Sequence, residues 1–187
     1  MQTHQPTYVS DSSPDGQFLV YTQGSSENGF DLWLLPTGGD HKPAPFLTTR
    51  FNEINGQVSP DGRWIAYISD ESGREEIYVS SFPASGSKWP VSNGGSYPRW
   101  GRDGKELFYV APDGALTAVP VRPVGQGLDF GEPAALPLMV NTIGGEFAYP
   151  YDIAPDGQRI LVLAPVSGGR DSASLTLLMN WDAGLKK

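Results

Sequence analysis

One four-residue turn is copied four times along this chain. Ser13-Pro14-Asp15-Gly16 recurs as Ser59-Pro60-Asp61-Gly62, Gly101-Arg102-Asp103-Gly104 and Ala154-Pro155-Asp156-Gly157, with the aspartates 46, 42 and 53 residues apart. Self-similarity at such a period fixes architecture before any residue-level reading does. An apolar strand follows each Asp-Gly: 17–21, 63–67, 105–109 and 158–162. A second strand follows at 31–35, 76–79, 116–119 and 175–178, and a third at 45–48, 89–92 and 135–139. Proline presets φ at the first turn position, and Asp-Gly reverses the chain. Aromatic and β-branched residues on either side suit a pleated surface. Each unit therefore reads as a four-stranded antiparallel blade. A lone blade cannot bury both faces, so blades must stack about an axis.

The expected fold is all-β, a single β-propeller over 1–187, with blades near 7–50, 51–93, 94–142 and 143–187. No helical period is sustained, so helix content should be close to nil. The competing architecture is a β-sandwich with coincidental Asp-Gly hairpins, but the copies align at several columns besides the turn.

Composition narrows the chemistry. The chain has 187 residues, no cysteine, 13 Lys+Arg against 21 Asp+Glu, and a net charge of −8. The lack of cysteine excludes disulfide frameworks, thiolate metal sites and cysteine nucleophiles. The acidic balance argues against nucleic acid. No apolar run is long enough to span a bilayer, and the polar Met1–Ser10 segment leads us to expect no signal peptide.

Ser59-Pro60-Asp61-Gly62-Arg63-Trp64-Ile65-Ala66-Tyr67, with Glu76-Ile77-Tyr78-Val79 downstream, resembles the TolB-like propeller repeat, a WD-like blade. The resemblance covers roughly residues 7 to 181. The ending, Leu175-Thr176-Leu177-Leu178-Met179-Asn180-Trp181-Asp182-Ala183-Gly184-Leu185-Lys186-Lys187, is similar to the last strand of propellers that follow bacterial receptor-type serine/threonine kinases. No kinase glycine-rich loop or His-Arg-Asp loop is present. The resemblance implies a sensor or scaffold role in a bacterial protein and an extracytoplasmic location. Its relatives usually carry six or more blades, whereas this chain has four repeats. Thr7-Tyr8-Val9-Ser10 is the only N-terminal candidate for an outer strand of the fourth blade, yet the first blade needs it as an inner strand. Either four blades close alone with a defective seam, or chains join as a homodimer or higher assembly.

In a propeller, ligands are commonly met on loops held by the rigid blades. The outer-to-inner connections contribute Asn52, Glu53, Tyr97, Arg99, Glu146, Tyr149 and Tyr151, and Tyr and Arg are frequent binding anchors. This suggests a polar-aromatic patch for a protein or peptide partner. The competing reading makes Tyr149 and Tyr151 inter-blade packing and Glu53 a solvated side chain. The turn aspartates occur one per blade, where a bond to the backbone explains them better than calcium does. The acidic stretch 70–76 reads as a solvated hairpin loop. We expect no cofactor, no metal and no catalytic residues: His4 and His41 are the only histidines, and no nucleophile elbow occurs. The alternative function is a small hydrolase or lyase using channel carboxylates drawn from Glu53, Glu146 and Asp152.

Overall fold

The structure, a computed structural model, describes residues 5–26, 29–84, 86–142, 145–154, 156–157, 159–165 and 173–179. The first sheet joins β1 (Thr7–Ser12), β2 (Phe18–Ser25), β3 (Gly29–Pro36) and β4 (Ala44–Leu47) in chain order. The second joins β5 (Glu53–Val58), β6 (Trp64–Ser69), β7 (Glu76–Ser81) and β8 (Lys88–Pro90) in the same way. The third holds β9 (Ser96–Trp100), β10 (Glu106–Val110), β11 (Ala115–Val124), β12 (Gly127–Phe130) and β13 (Ala134–Met139). The fourth holds β14 (Tyr151–Ile153), β15 (Arg159–Pro165) and β16 (Ala173–Met179). All pairings are antiparallel.

The turns form as their residues dictate. In the first, the Gly16 amide donates to Ser13 O at 2.8 Å and the Gln17 amide to Asp15 Oδ1 at 3.0 Å, while Ser13 Oγ accepts from the Phe18 amide at 3.0 Å. The second repeats this with Ser59, Asp61, Arg63 and Trp64. Gly16, Gly62, Gly104 and Gly157 have φ of +71°, +69°, +71° and +64°, a region that costs a side-chain-bearing residue about 1–2 kcal/mol. Asp15, Asp61 and Asp103 each take the backbone amide two residues on.

Burial explains why the copies stay together. Three hydrophobic clusters fill the interfaces between consecutive sheets. Val20, Leu32, Leu34 and Phe46 meet Val58, Ile65, Tyr67 and Tyr78 between the first and second sheets. Trp64, Ala66, Ile77 and Val79 meet Trp100, Leu107, Tyr109 and Val119 between the second and third. Phe108, Leu116 and Leu136 meet Tyr151, Ile153, Ile160 and Val162 between the third and fourth. The second sheet is therefore buried on both faces, and its strand β6 reads as a continuous apolar run from Trp64 to Ile68. Full burial of one side chain such as Ile65 contributes about 1.5–3 kcal/mol.

Two expectations change. The third sheet has five strands: β11 runs past its predicted end and turns at Gly125 (φ +58°) into β12, with Val124 facing Gly127. Such a two-residue hairpin favours a glycine at positive φ. The fourth sheet has three strands among the described residues, not four. The N-terminal segment pairs with β2 as the inner strand of the first sheet, so it supplies no outer strand to the fourth. No described pairing closes the ring. The expected end of the last strand at Trp181, and the kinase-like residues 180–187, lie outside the described residues.

Candidate functional site

The inner strands β1, β5 and β9 share an irregularity. Register against the neighbouring strand slips between Val9 and Asp11, between Ile54 and Gln57, and between Ser96 and Arg99. Each slip places one extra residue on the inner strand, a β-bulge, which bends the strand and re-aims the side chain after it. In the second and third repeats the bulge contains a left-handed residue six positions before the turn aspartate: Asn55 (φ +57°) and Tyr97 (φ +59°). Gly56, beside Asn55, is forced by contact. A Cβ there would lie 3.0 Å from both Ile65 Cδ1 and Val20 Cγ1, so the bulge is packed tightly against side chains of the first and second sheets.

The side chains after the three bulges, Asp11, Gln57 and Arg99, share one column of the repeat, four residues before the turn aspartate; Asp152 of the unbulged β14 holds the same column in the fourth repeat and faces Arg99. Asp11 Oδ2 accepts the Val58 amide at 2.8 Å, and Gln57 Nε2 donates to Ser10 O at 2.7 Å. Arg99 Nη1 donates to Gln57 Oε1 at 3.1 Å, and its Nε lies 3.6 Å from Asp152 Oδ1. Trp100 Nε1 donates to Gln57 O at 2.9 Å. Contacts thus pass from the first sheet to the second, third and fourth, as a polar belt around the place where the inner strands converge.

Below the belt, on the side of the Asp-Gly turns, is a cleft of about 400 Å³ lined by Asp11, Gln57, Arg99, Arg102 and Asp152 with Pro14 and Pro60 at its mouth. Burial pushes the Asp11 carboxyl up from its ordinary range, against the Val58 and Ser12 amides and the two arginines, which pull it down. Above the belt the way is crossed by residues 145–151. Asn55 Nδ2 donates to Glu146 O at 2.6 Å, Tyr149 Oη to Asn55 O at 3.0 Å, Tyr97 Oη to Gly145 O at 3.2 Å and Tyr151 Oη to Tyr97 O at 2.7 Å. Phe147 stacks on Tyr8 at 3.8 Å and meets Phe30 edge-on at 5.1 Å. This connection ties the first sheet to the fourth without strand pairing. Arg99 Cζ lies 4.2 Å from the Tyr149 ring centroid. Burial raises the Tyr149 and Tyr151 phenols well above their ordinary range, with Arg99 opposing.

The seven residues expected to carry binding divide into two groups. Tyr97, Arg99, Tyr149, Tyr151 and the backbone of Glu146 come together beside Asn55, and of these only Arg99 lines the cleft. Asn52 and Glu53 stand apart. Asn52 accepts the Phe30 amide at 3.0 Å and donates to Asp70 through its own amide (2.9 Å) and Nδ2 (2.6 Å), pinning one sheet to the next. Glu53 is only 2 % exposed, so it is not a solvated loop carboxylate. Thr49 donates to it through hydroxyl and amide, and burial raises its pKa, helped by Asp31 and Glu71. The carboxylates of the hydrolase alternative occupy separate places: Glu53 on Thr49, Glu146 in a cavity with Asp70 and Glu75, and Asp152 in the cleft. Among the described residues no group of three His, Asp or Glu converges as a metal site requires.

Sequence reasoning missed Asp11, Asn55, Gln57 and Arg102. A signal existed for three of them. The column four before the turn aspartate is polar in every repeat, and Arg102 replaces the proline of the other three turns. Asn55 had no signal, because a bulge depends on the partner strand.

No family profile matches the chain, and no curated sequence does. Solved structures do match. TolB of Acinetobacter baumannii superposes with a TM-score of 0.66 at 16 % identity, over 94 % of this chain and 41 % of that one. A structure from Agrobacterium tumefaciens described as a TolB gives 0.68 at 22 % identity, over 96 % of this chain and 60 % of that one. The chain folds like part of a propeller. A puromycin-hydrolysing peptidase of Mycobacterium tuberculosis matches equally well, at 0.66 and 16 % identity, over 93 % of this chain and 30 % of that one. The chain therefore spans between 30 % and 60 % of the length of these neighbours, and likeness at such identities concerns the fold.

Proposed function

We propose that this chain is a non-catalytic propeller module, part of a bacterial sensor or scaffold, that receives its ligand in the cleft on the Asp-Gly turn side. One observation carries the reading: each of the four repeats places a polar side chain from the same column in a chain of contacts that lines one cleft. A belt whose members are held by inter-sheet contacts is a preorganised wall, and preorganisation lowers the entropic cost of binding. The carboxylates needed for the hydrolytic alternative do not share one cavity, which supports binding over turnover.

The test is a fragment titration of the 15N-labelled chain followed by amide shifts. Perturbations are expected at Asp11, Gln57, Arg99, Arg102 and Ile153. Perturbations confined to residues outside the cleft, or turnover of a peptide or lactone substrate that Asp152→Asn abolishes, would defeat the reading.

A further inference from the structure

We propose that the ligand of this cleft carries an oxyanion, a carboxylate or a phosphate group, gripped by Arg102 with help from Arg99. The inference rests on the binding role of the cleft and adds the chemistry of what enters it.

The argument is a count of donors against acceptors. The acceptors are largely engaged. Asp11 Oδ2 takes the Val58 amide, Asp152 Oδ1 takes the Ile153 amide at 2.8 Å, and Gln57 Oε1 takes Arg99 Nη1. The donors are not. Arg102 has five N–H groups, and among the described residues its one hydrogen bond is from Nη2 to Ile153 O at 3.5 Å, the limit of such a contact. It forms no ion pair among the described residues. Arg99 Nε is buried with no acceptor at hydrogen-bond distance, its neighbour Asp152 Oδ1 standing 3.6 Å away. A buried donor left unmade is costly, and a guanidinium fork matches the two oxygens of a carboxylate or phosphate. The 400 Å³ space is shared with Asp11 and Asp152, but their oxygens are taken up by the Val58 and Ile153 amides, so the unspent donors of the two guanidiniums are what a ligand rich in acceptors would complement.

The sequence of the third turn points the same way. Pro14, Pro60 and Pro155 precede the turn aspartate in the other repeats, and Ser13 and Ser59 brace two of them. The third repeat has Gly101 and Arg102 instead. It forgoes the stiffening of proline and the serine brace, and in exchange presents a cation at the cleft mouth. The turn itself survives: the Gly104 amide still donates to Gly101 O at 2.9 Å. In the one copy that breaks the motif, a cation held only by a long hydrogen bond to Ile153 O and by the field of Asp11 is placed for a ligand.

The experiment titrates glutarate, inorganic phosphate and neutral glutaramide into the labelled chain. Glutarate or phosphate is expected to shift the Arg99 and Arg102 Nε–H signals and the Ile153 amide, more weakly as salt is raised. Which of the two binds tighter distinguishes carboxylate from phosphate. Arg102→Gln removes the charge at similar length, and Arg102→Pro restores the residue of the other turns, so a folded variant is available either way. Each should weaken anion binding at least tenfold, and Arg102→Lys less. If both anions leave these signals unmoved, or bind Arg102→Gln and Arg102→Pro as tightly as the native chain, the inference fails. Glutaramide or an uncharged fragment shifting the cleft amides when the anions do not would defeat the oxyanion and leave the binding module standing. No cleft amide moved by any probe would sink both.

Discussion

Asn55 holds two burdens at once, and they can be separated. It is 2 % exposed, adopts φ +57°, and its Nδ2 donates to Glu146 O at 2.6 Å. Asn55→Ala removes the hydrogen bond, worth about 0.5–1.5 kcal/mol, and places a Cβ-bearing residue with no local polar compensation in the left-handed region, at about 1–2 kcal/mol. The expected loss is about 2–3 kcal/mol. Asn55→Gly loses the same hydrogen bond but enters the left-handed region freely, offset in part by the added freedom of glycine in the unfolded chain, about 0.5–1 kcal/mol. Its loss should be about 1–2 kcal/mol, so glycine should be the milder substitution. Five tryptophans give a fluorescence signal for urea unfolding, from which both values are read. Both variants leave the main-chain bonds to Thr22 and Tyr149 in place, so the comparison isolates backbone strain. An alanine variant as stable as the glycine variant, or more so, would refute the account of the bulge as a site that needs a left-handed residue.

Two other outcomes follow from the packing. Glu53 has a raised folded-state pKa because burial disfavours its charge, so its contribution is fully present below the ordinary value of 4.5 and is lost as pH rises through the folded value. The stability of the native chain relative to Glu53→Gln should therefore fall as pH climbs from 4.5, measured by urea unfolding at several pH values; a flat or rising difference would contradict it. The ends of the blade array are unfinished: Val9 is 69 % and Leu161 39 % exposed, and β16 pairs only with β15 among the described residues. Exposed apolar faces and free strand edges favour association, so light scattering should report a mass above the 20.2 kDa of one chain, and a monodisperse monomer would count against it.

Much of the fold was legible because its cause is local. Asp-Gly after Ser-Pro specifies a turn whatever surrounds it, and the amides of Gln17, Arg63 and Lys105 fold back onto Asp15, Asp61 and Asp103 within two residues. Alternation and β-branching then mark the strands on either side. Where a strand's limits depend on a partner, sequence reading failed. β11 overran its predicted end because β12 was there to pair with it, and the fourth sheet has three described strands because the N-terminal segment is committed to β2.

The site divides along the same line. Residue types and their recurrence in a column are properties of the sequence by itself, and they determined that this chain repeats a blade, that its turns need aspartate and glycine, and that the third turn carries an arginine in place of proline. Only the tertiary structure decided that Tyr149 and Tyr151 reach the main chain of Asn55 and Tyr97, that Glu53 turns inward, and that Asp11, Gln57, Arg99 and Asp152 line one cleft. For Asp11, Gln57 and Arg99 the physical reason is the bulge. One extra residue opposite a partner strand changes where every following side chain points, and no pattern within the strand itself records where that residue is inserted.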